Sequence, residues 1–308
     1  MITYSIIIPH KNTPELLQYC LNSIPIRNDV QVIVVDDNST NDKVDFEHFP
    51  HWNGGCFDLI LTKEGKGAGY ARNVGLKHAY GKWVLFLDAD DYFLPSIDAI
   101  LDYEIETDAD IIFYRPQAVM LNDKGSLSRR ADMYNSIIDR YLASGDETEL
   151  RCRYFSPVSK FVNRKIIESN CIRFDEIPYS NDNLFSVKIG VNANRILVRE
   201  KSFYCITESE DTLTSNFMKK PRELQIRTDA FFRTQEIVHE NGYSIDLDLV
   251  MRYLRKLFFE DKDSFVINFN RIRKMGYNKL WLLRELFKGN SRKAAVKRII
   301  YSFFCTGF

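Results

Sequence analysis

No window of this 308-residue chain approaches the roughly 18–20 continuous apolar residues of a membrane-spanning helix, which sets integral membrane classes aside. The opening MITYSIIIPHKN lacks a basic leader and a cleavage site, so its short apolar run is expected to be a first strand, not a signal peptide. Cysteine is scarce and scattered. The six residues Cys20, Cys56, Cys152, Cys171, Cys205 and Cys305 form no C-x-x-C pair and have no histidine at zinc-finger spacing. That excludes a zinc finger and a disulfide scaffold, leaving reduced buried thiols in a cytoplasmic protein. A phosphate-cradle signature is also missing. Gly65, Gly67 and Gly69 lie between a strand-like and a helix-like block, but Tyr70 stands where G-x-G-x-x-G needs its last glycine, and no GK[ST] follows. These glycines are expected to form a mobile loop, with Arg72 as a cation near the helix start.

Neither sign of charge is in excess: 42 Lys and Arg balance 42 Asp and Glu. The balance conceals a gradient. From Met251 onward 14 basic residues face 4 acidic ones, leaving 28 against 38 in residues 1–250. Such a tail suits an anionic partner or surface, though not nucleic acid. Hydrophobic content of 45% is ample for one large domain, or for a domain with an appendage.

The first half alternates. YSIIIP, VQVIVVDD, FDLILT, WVLFLD and ADIIFYR read as strands, and TPELLQYCLNSI, GYARNVGLKHAY and PSIDAILDYEIE read as helices. Thr13 is a candidate N-cap, with Pro14 at the first helical position. Apolar strands separated by helices predict an α/β fold, a mainly parallel central sheet flanked by helices. Further on, SPVSKFVNRKIIESN and YSNDNLFSVKIGVNA read as helical, and RILVREKSFYCIT as one or two strands. From about residue 215 helix follows helix.

Ligands of such sheets sit outside the carboxyl ends of the strands, and there the chain turns acidic. Leu87 runs into Asp88, Ala89, Asp90 and Asp91, and Val35 into Asp36 and Asp37. At ~5 Å and an effective dielectric of about 20, each pair of like charges repels by roughly 3 kcal/mol. A hard divalent cation held by one or two carboxylates plus ligand phosphates would relieve it. The alternative is that Asp91 caps the following helix while the others are solvated. Asp36 and Asp37 could accept hydrogen bonds from an imide N–H and ribose hydroxyls, or could form an Asx-turn and helix cap with Asn38, Ser39 and Thr40.

In this order, SIIIPHKN, IVVDDNSTND and GAGYARNVGLKHAYGKWVLFLDADD resemble the family 2 glycosyltransferases of GT-A fold, closely over the first 95 residues and loosely to about 215. The resemblance implies a GT-A domain over 1–215, with a nucleotide-sugar half at 1–115, an acceptor half at 116–215, and a helical region at 216–308. It implies that Asp88 and Asp90 form a D-x-D motif holding Mn²⁺ or Mg²⁺ on the donor diphosphate, with Asp91 as a further ligand or sugar contact. Asp36 and Asp37 would read base and ribose, Arg72 would lie beside them, and Pro9, His10 and Lys11 would form the loop against which the nucleotide packs. His10 is expected to be a loop residue and not a base.

An inverting displacement needs a general base opposite the leaving group. The family's base opens a helix in the second half, which implies Asp182, with Asp175 or Glu176 as fallback. Asn181 departs from the acid usually found before it. The implied activity is inverting hexosyl or N-acetylhexosaminyl transfer from a nucleotide-diphosphate sugar, UDP-linked by family habit. The acceptor would be a glycan or lipid-linked hydroxyl in bacterial surface polysaccharide synthesis. Competing readings are a non-catalytic nucleotide-sugar binder and a sugar-1-phosphate nucleotidyltransferase. In the tail, Val296, Ile299, Ile300 and Phe303 share one helical face while Arg298 points away, with Lys297 near its margin. Such helices either pack on the core or touch the inner membrane face in its plane.

Overall fold

The computed structural model describes residues 1–209, 221–286 and 288. The chain divides into two compact units, Met1–Phe217 and Met218–Phe308. The first unit begins with β1 (Tyr4–His10), α1 (Pro14–Asn22), β2 (Val30–Asp37), β3 (Cys56–Thr62), α2 (Ala68–His78) and β4 (Trp83–Phe86). It continues with β5 (Tyr92–Phe93), α3 (Ile97–Glu104), β6 (Ile111–Tyr114), β7 (Gln117–Met120), α4 (Asp132–Ser144) and α5 (Thr148–Cys152). It closes with β8 (Lys160–Asn163), α6 (Arg164–Ser169), α7 (Asn183–Asn192), β9 (Ile196–Arg199) and β10 (Tyr204–Glu208).

Seven strands form the main sheet in the order β3-β2-β1-β4-β8-β6-β9. The neighbours from β3 to β4 run parallel, as do β6 and β9, and β8 runs against both strands beside it. Every residue of β2 and β4 is buried, as expected of strands covered on both faces. Parallel pairing in register sets His10 beside Asp36. The carboxyl ends of β1, β2 and β4 therefore open on one rim, with the acids at β2 and β4. A second sheet, β5-β10-β7, stands beyond β4 in sequence, and its strand β10 becomes important at the site.

Two expectations need correction. SPVSKFVNRKIIESN is not one helix: its middle is β8, inserted between β4 and β6, and only α6 is helical. Ile166 and Ile167 carry the helical signal, while Phe161 and Val162 are claimed by strand pairing. Propensity over four residues is too weak to resist that. His10 is no loop residue but the last residue of β1, only 2% exposed. Thr13 occupies the N-cap of α1 without a side-chain capping bond, and Pro14 starts the helix as read.

In the second unit, α8 (Pro221–Glu240), α9 (Leu247–Glu260), α10 (Lys262–Lys274) and α11 (Lys279–Leu286) bury Phe231, Phe232, Leu254, Leu257, Ile272 and Leu282. Asp246 and Asp261 cap α9 and α10 through the N–H groups of Leu249 and Ser264. No described helix is long and apolar enough to cross a membrane. The helical face expected at Val296, Ile299, Ile300 and Phe303, with Lys297 and Arg298, lies outside the described residues.

Candidate active site

The end of β2 is held from within. Asp36 accepts from the N–H and hydroxyl of Ser39, at 2.8 and 2.5 Å, and pairs with His10 Nδ1 at 2.8 Å. Burial alone would raise its carboxyl, yet His10 and Ser39 hold it below the ordinary carboxylate range. Asn38 takes the left-handed conformation the tight turn requires, at φ 61°. Asp37 accepts from the backbone N–H groups of Lys66 and Gly67, at 3.1 and 2.6 Å, with Lys11 Nζ 3.9 Å away. The glycine-rich loop is therefore fastened to β2 at this point. Pro9, like His10, belongs to β1, and the Lys11 side chain is half exposed.

The three carboxylates after β4 separate into two roles. Asp91 is buried, with one oxygen accepting the Tyr204 hydroxyl at 2.6 Å and the other the Thr207 N–H at 2.7 Å. Burial, then the charges of Asp90 and Asp88, push its carboxyl well up. It ties the acidic turn to β10. It does not cap α3, whose N-cap is Ser96. Asp88 and Asp90 remain toward the cleft, with Ala89 buried between them. Asp88 receives Arg72 Nη2 at 2.5 Å. Asp90 is exposed at the rim, yet lost hydration among its neighbours, followed by the Asp88 charge, pushes its carboxyl up to about 6.

Among the described residues, no three His, Cys, Asp or Glu side chains converge as a ready-made metal cage. Two oxygen-donor carboxylates that repel each other nevertheless fit Mg²⁺ or Mn²⁺, ions that complete their shell with ligand phosphates.

Arg72, on α2 and 6% exposed, joins this end to the second half of the domain. Its Nη1 donates to Asn181 Oδ1 at 3.0 Å, its guanidinium lies 5.3 Å from the Phe174 ring, and its buried Nε has no partner among the described residues. Asn73, next on the helix, exchanges two hydrogen bonds with the Phe174 backbone. Gly69 completes the seam, since a β-carbon there would stand 2.1 Å from the Asp175 carbonyl oxygen and 3.1 Å from Asn181 Cβ. α2 thus fixes the 174–182 segment.

Asp182 stands at the N-cap of α7, and its side chain makes no capping hydrogen bond. Desolvation pushes its carboxyl up, and Arg72 draws it back. Glu176 is more exposed and lies 4.0 Å from Lys66. Reading the sequence by motif misses Lys160, Tyr134, Tyr154 and Tyr204, which line or brace this region. A lone lysine in the apolar run SKFV was the available signal for the first. A hollow of about 890 Å³ beside α1 and residues 41–50 includes neither Asp88 nor Asp90.

Known proteins resemble this chain in sequence and in fold. The model of a family described as glycosyl transferase family 2 matches residues 5–168. The poly(ribitol-phosphate) beta-N-acetylglucosaminyltransferase TarS of Staphylococcus aureus is 28% identical over 234 residues, which are 72% of this chain and 39% of TarS. The chain thus spans well under half of that relative. The crystal structure of S. aureus TarS 1-349 in complex with UDP-GlcNAc superposes with a TM-score of 0.63 at 22% identity, covering 89% of this chain and 82% of that one. A mannosyltransferase of Pyrobaculum calidifontis, solved with GDP-Man and Mn²⁺, gives 0.52 at 16% identity, over 98% and 80% of the two chains. The shared architecture is the GT-A fold.

Proposed function

This chain belongs to glycosyl transferase family 2, and on that premise we propose that it transfers a hexosyl or N-acetylhexosaminyl group, with inversion, from a UDP-linked donor to a hydroxyl of a bacterial surface polymer. The observation that carries the proposal is the position of Arg72. One guanidinium touches Asp88 of the D-x-D turn and Asn181, the residue before Asp182. Donor-phosphate and acceptor chemistry would then face each other across a single side chain.

In this reading the nucleotide lies along the ends of β1 and β2, near Lys11, Asp36 and Asp37. Asp88 and Asp90 would hold Mn²⁺ or Mg²⁺, which when bound neutralises charge developing on the diphosphate. Arg72 adds a fixed positive charge beside Asp88. Asp182 takes the proton of the acceptor hydroxyl, a role suited to a raised carboxyl free of capping duty. Asn181 keeps an orienting role as the acceptor of the Arg72 bond, which counts against a purely binding relic of the fold. Poly(ribitol phosphate), named for TarS, is the first acceptor to try. A peripheral contact of the basic second unit with the inner membrane face belongs to the same reading.

The test is UDP release from UDP-GlcNAc and UDP-glucose with Mn²⁺ or Mg²⁺, with and without poly(ribitol phosphate). Turnover is expected to require the cation and to vanish in Asp90→Asn. Asp182→Asn is expected to retain UDP binding and lose about 10²–10⁴-fold in rate. Full activity in Asp182→Asn would remove the base assignment.

A further inference from the structure

Lys160 opens β8 and is 2% exposed. Its Nζ has one described hydrogen-bond partner, Ser186 Oγ at 3.5 Å. Otherwise it lies 5.3 Å from the Phe113 ring centroid and 5.0 Å from that of Tyr154. A buried ammonium with so little solvation is unstable. Burial accordingly draws Lys160 down to about 7, and the charge pulling it back up is Asp182.

The geometry explains that coupling. Ser186 lies one turn beyond Asp182, with its N–H bonded to the Asp182 carbonyl at 2.9 Å. Lys160 therefore approaches beneath the first turn of α7. That helix end carries partial positive charge, which disfavours a cation and favours an anion, so the favourable partner of the ammonium is the carboxylate at the N-cap. The other groups facing Asp182 are Arg72 on α2, Asp88 after β4 and Tyr134 on α4. Arg72 is already paired with Asp88, whose own charge opposes ionisation of Asp182. Lys160 pairs with no carboxylate at bonding distance among the described residues.

We propose that Lys160 is a positioning residue, a buried countercharge under the first turn of α7 that keeps the Asp182 carboxylate ionised as the cleft fills and loses water. The proposal deepens the reading of Asp182 as general base and rests on it.

The test uses metal-free full-length protein with ¹³C-labelled aspartate, the Asp182 carboxyl resonance being identified by its loss in Asp182→Asn. Lys160→Met keeps an unbranched side chain one atom shorter and removes its charge. The Asp182 midpoint is expected to rise by about one pH unit. By reciprocity, the Lys160 side-chain midpoint falls in Asp182→Asn. With Mn²⁺ or Mg²⁺ added back, the acid limb of UDP release from UDP-GlcNAc or UDP-glucose moves up with the carboxyl. Should Lys160→Met not fold, Lys160→Gln carries the same measurement. An unmoved Asp182 midpoint overturns the countercharge while leaving the base in place, provided Asp182→Asn is inactive. If Asp182→Asn still transfers sugar, the base reading falls and takes this proposal with it.

Discussion

Asp90 and Asp91 are adjacent and chemically identical, and the fold gives them different surroundings. Asp91 satisfies Tyr204 and Thr207 from β10, so its loss leaves a buried hydroxyl and a buried N–H unpaired. Asp91→Ala is expected to lower unfolding stability by about 2–3 kcal/mol in urea titrations, at roughly 1 kcal/mol or more per orphaned group. Cation-dependent UDP binding by calorimetry should survive in that variant and be absent in Asp90→Asn. The reverse pattern would move the cation seat to Asp91. Lys160 makes a second residue-scale prediction. With its value drawn from 10.5 to about 7, the unfolded chain holds a proton across that interval that the folded chain has released. Stability therefore rises with pH there, by up to about 1.4 kcal/mol per unit. Between pH 7 and 9 the gain from this group is on the order of 2 kcal/mol, and Lys160→Met should lack it. Asp36 acts with the same sign at lower pH. Its depressed carboxyl contributes stability above the unfolded carboxylate value, and that is lost as pH falls through its folded value. Asp36→Asn should therefore flatten the acid side of the same stability curve.

At the scale of elements, legibility followed length and position in the sheet. β1, β2 and β4 could be read because a parallel strand covered on both faces becomes an unbroken apolar run, and the acids ending β2 and following β4 marked the rim, whereas the edge strand β3 was read from its apolar run alone. β8 could not be read. Four residues carry almost no period, and their strand character exists only through Trp83, Val84, Ile111, Ile112 and Phe113 on the neighbouring strands. β10 was legible as a strand in RILVREKSFYCIT, but its pairing was not: it joins Cys205–Glu208 to Gln117–Met120 of β7, a relation no local pattern encodes. Site residues followed the same rule. Motif residues announced themselves, whereas Tyr204 and Lys160 are defined by what approaches them in space. The seam between α2 and residues 174–182 is the element-level device that turns two distant motifs into one cleft. Gly69→Ala tests it, because the added methyl meets the Asp175 carbonyl at 2.1 Å with no flexible side chain to yield. Overpacking of this kind typically costs about 1–3 kcal/mol. The displaced Asn181 and Asp182 should lower the transfer rate by on the order of 10²-fold, since an error of about 1 Å in a reacting group has that effect. UDP affinity should change far less. Equal losses in both would show that α2 acts only as scaffold.

Across the whole molecule the charge gradient remains to be used. The last part of the chain, from Met251, is strongly basic, and in the second unit Phe259, Ile267 and Leu280 are more than half exposed, with Trp281 at 39%. Trp281 stacks on Tyr277, with centroids 6.0 Å apart, and Lys279 and Arg284 lie on the same helix, α11. Scattered apolar exposure is ordinary on a soluble surface. Large apolar side chains among excess cations are what an interfacial contact with anionic lipid requires, each basic group adding about 1 kcal/mol near a charged surface. The full chain is therefore expected to sediment with phosphatidylglycerol-containing vesicles, to remain in solution with pure phosphatidylcholine, and to be released by about 0.5 M salt as the charges are screened. Removing Leu280 and Trp281 together, as Leu280→Ala and Trp281→Ala, takes away apolar area worth about 1.5–3 kcal/mol for each side chain if fully inserted. The partition coefficient should then drop at least tenfold while UDP binding by the first unit is unchanged. Failure to sediment with anionic vesicles at low salt would leave these helices as packed elements with solvated basic faces, and the acceptor would have to reach the cleft without the membrane's help.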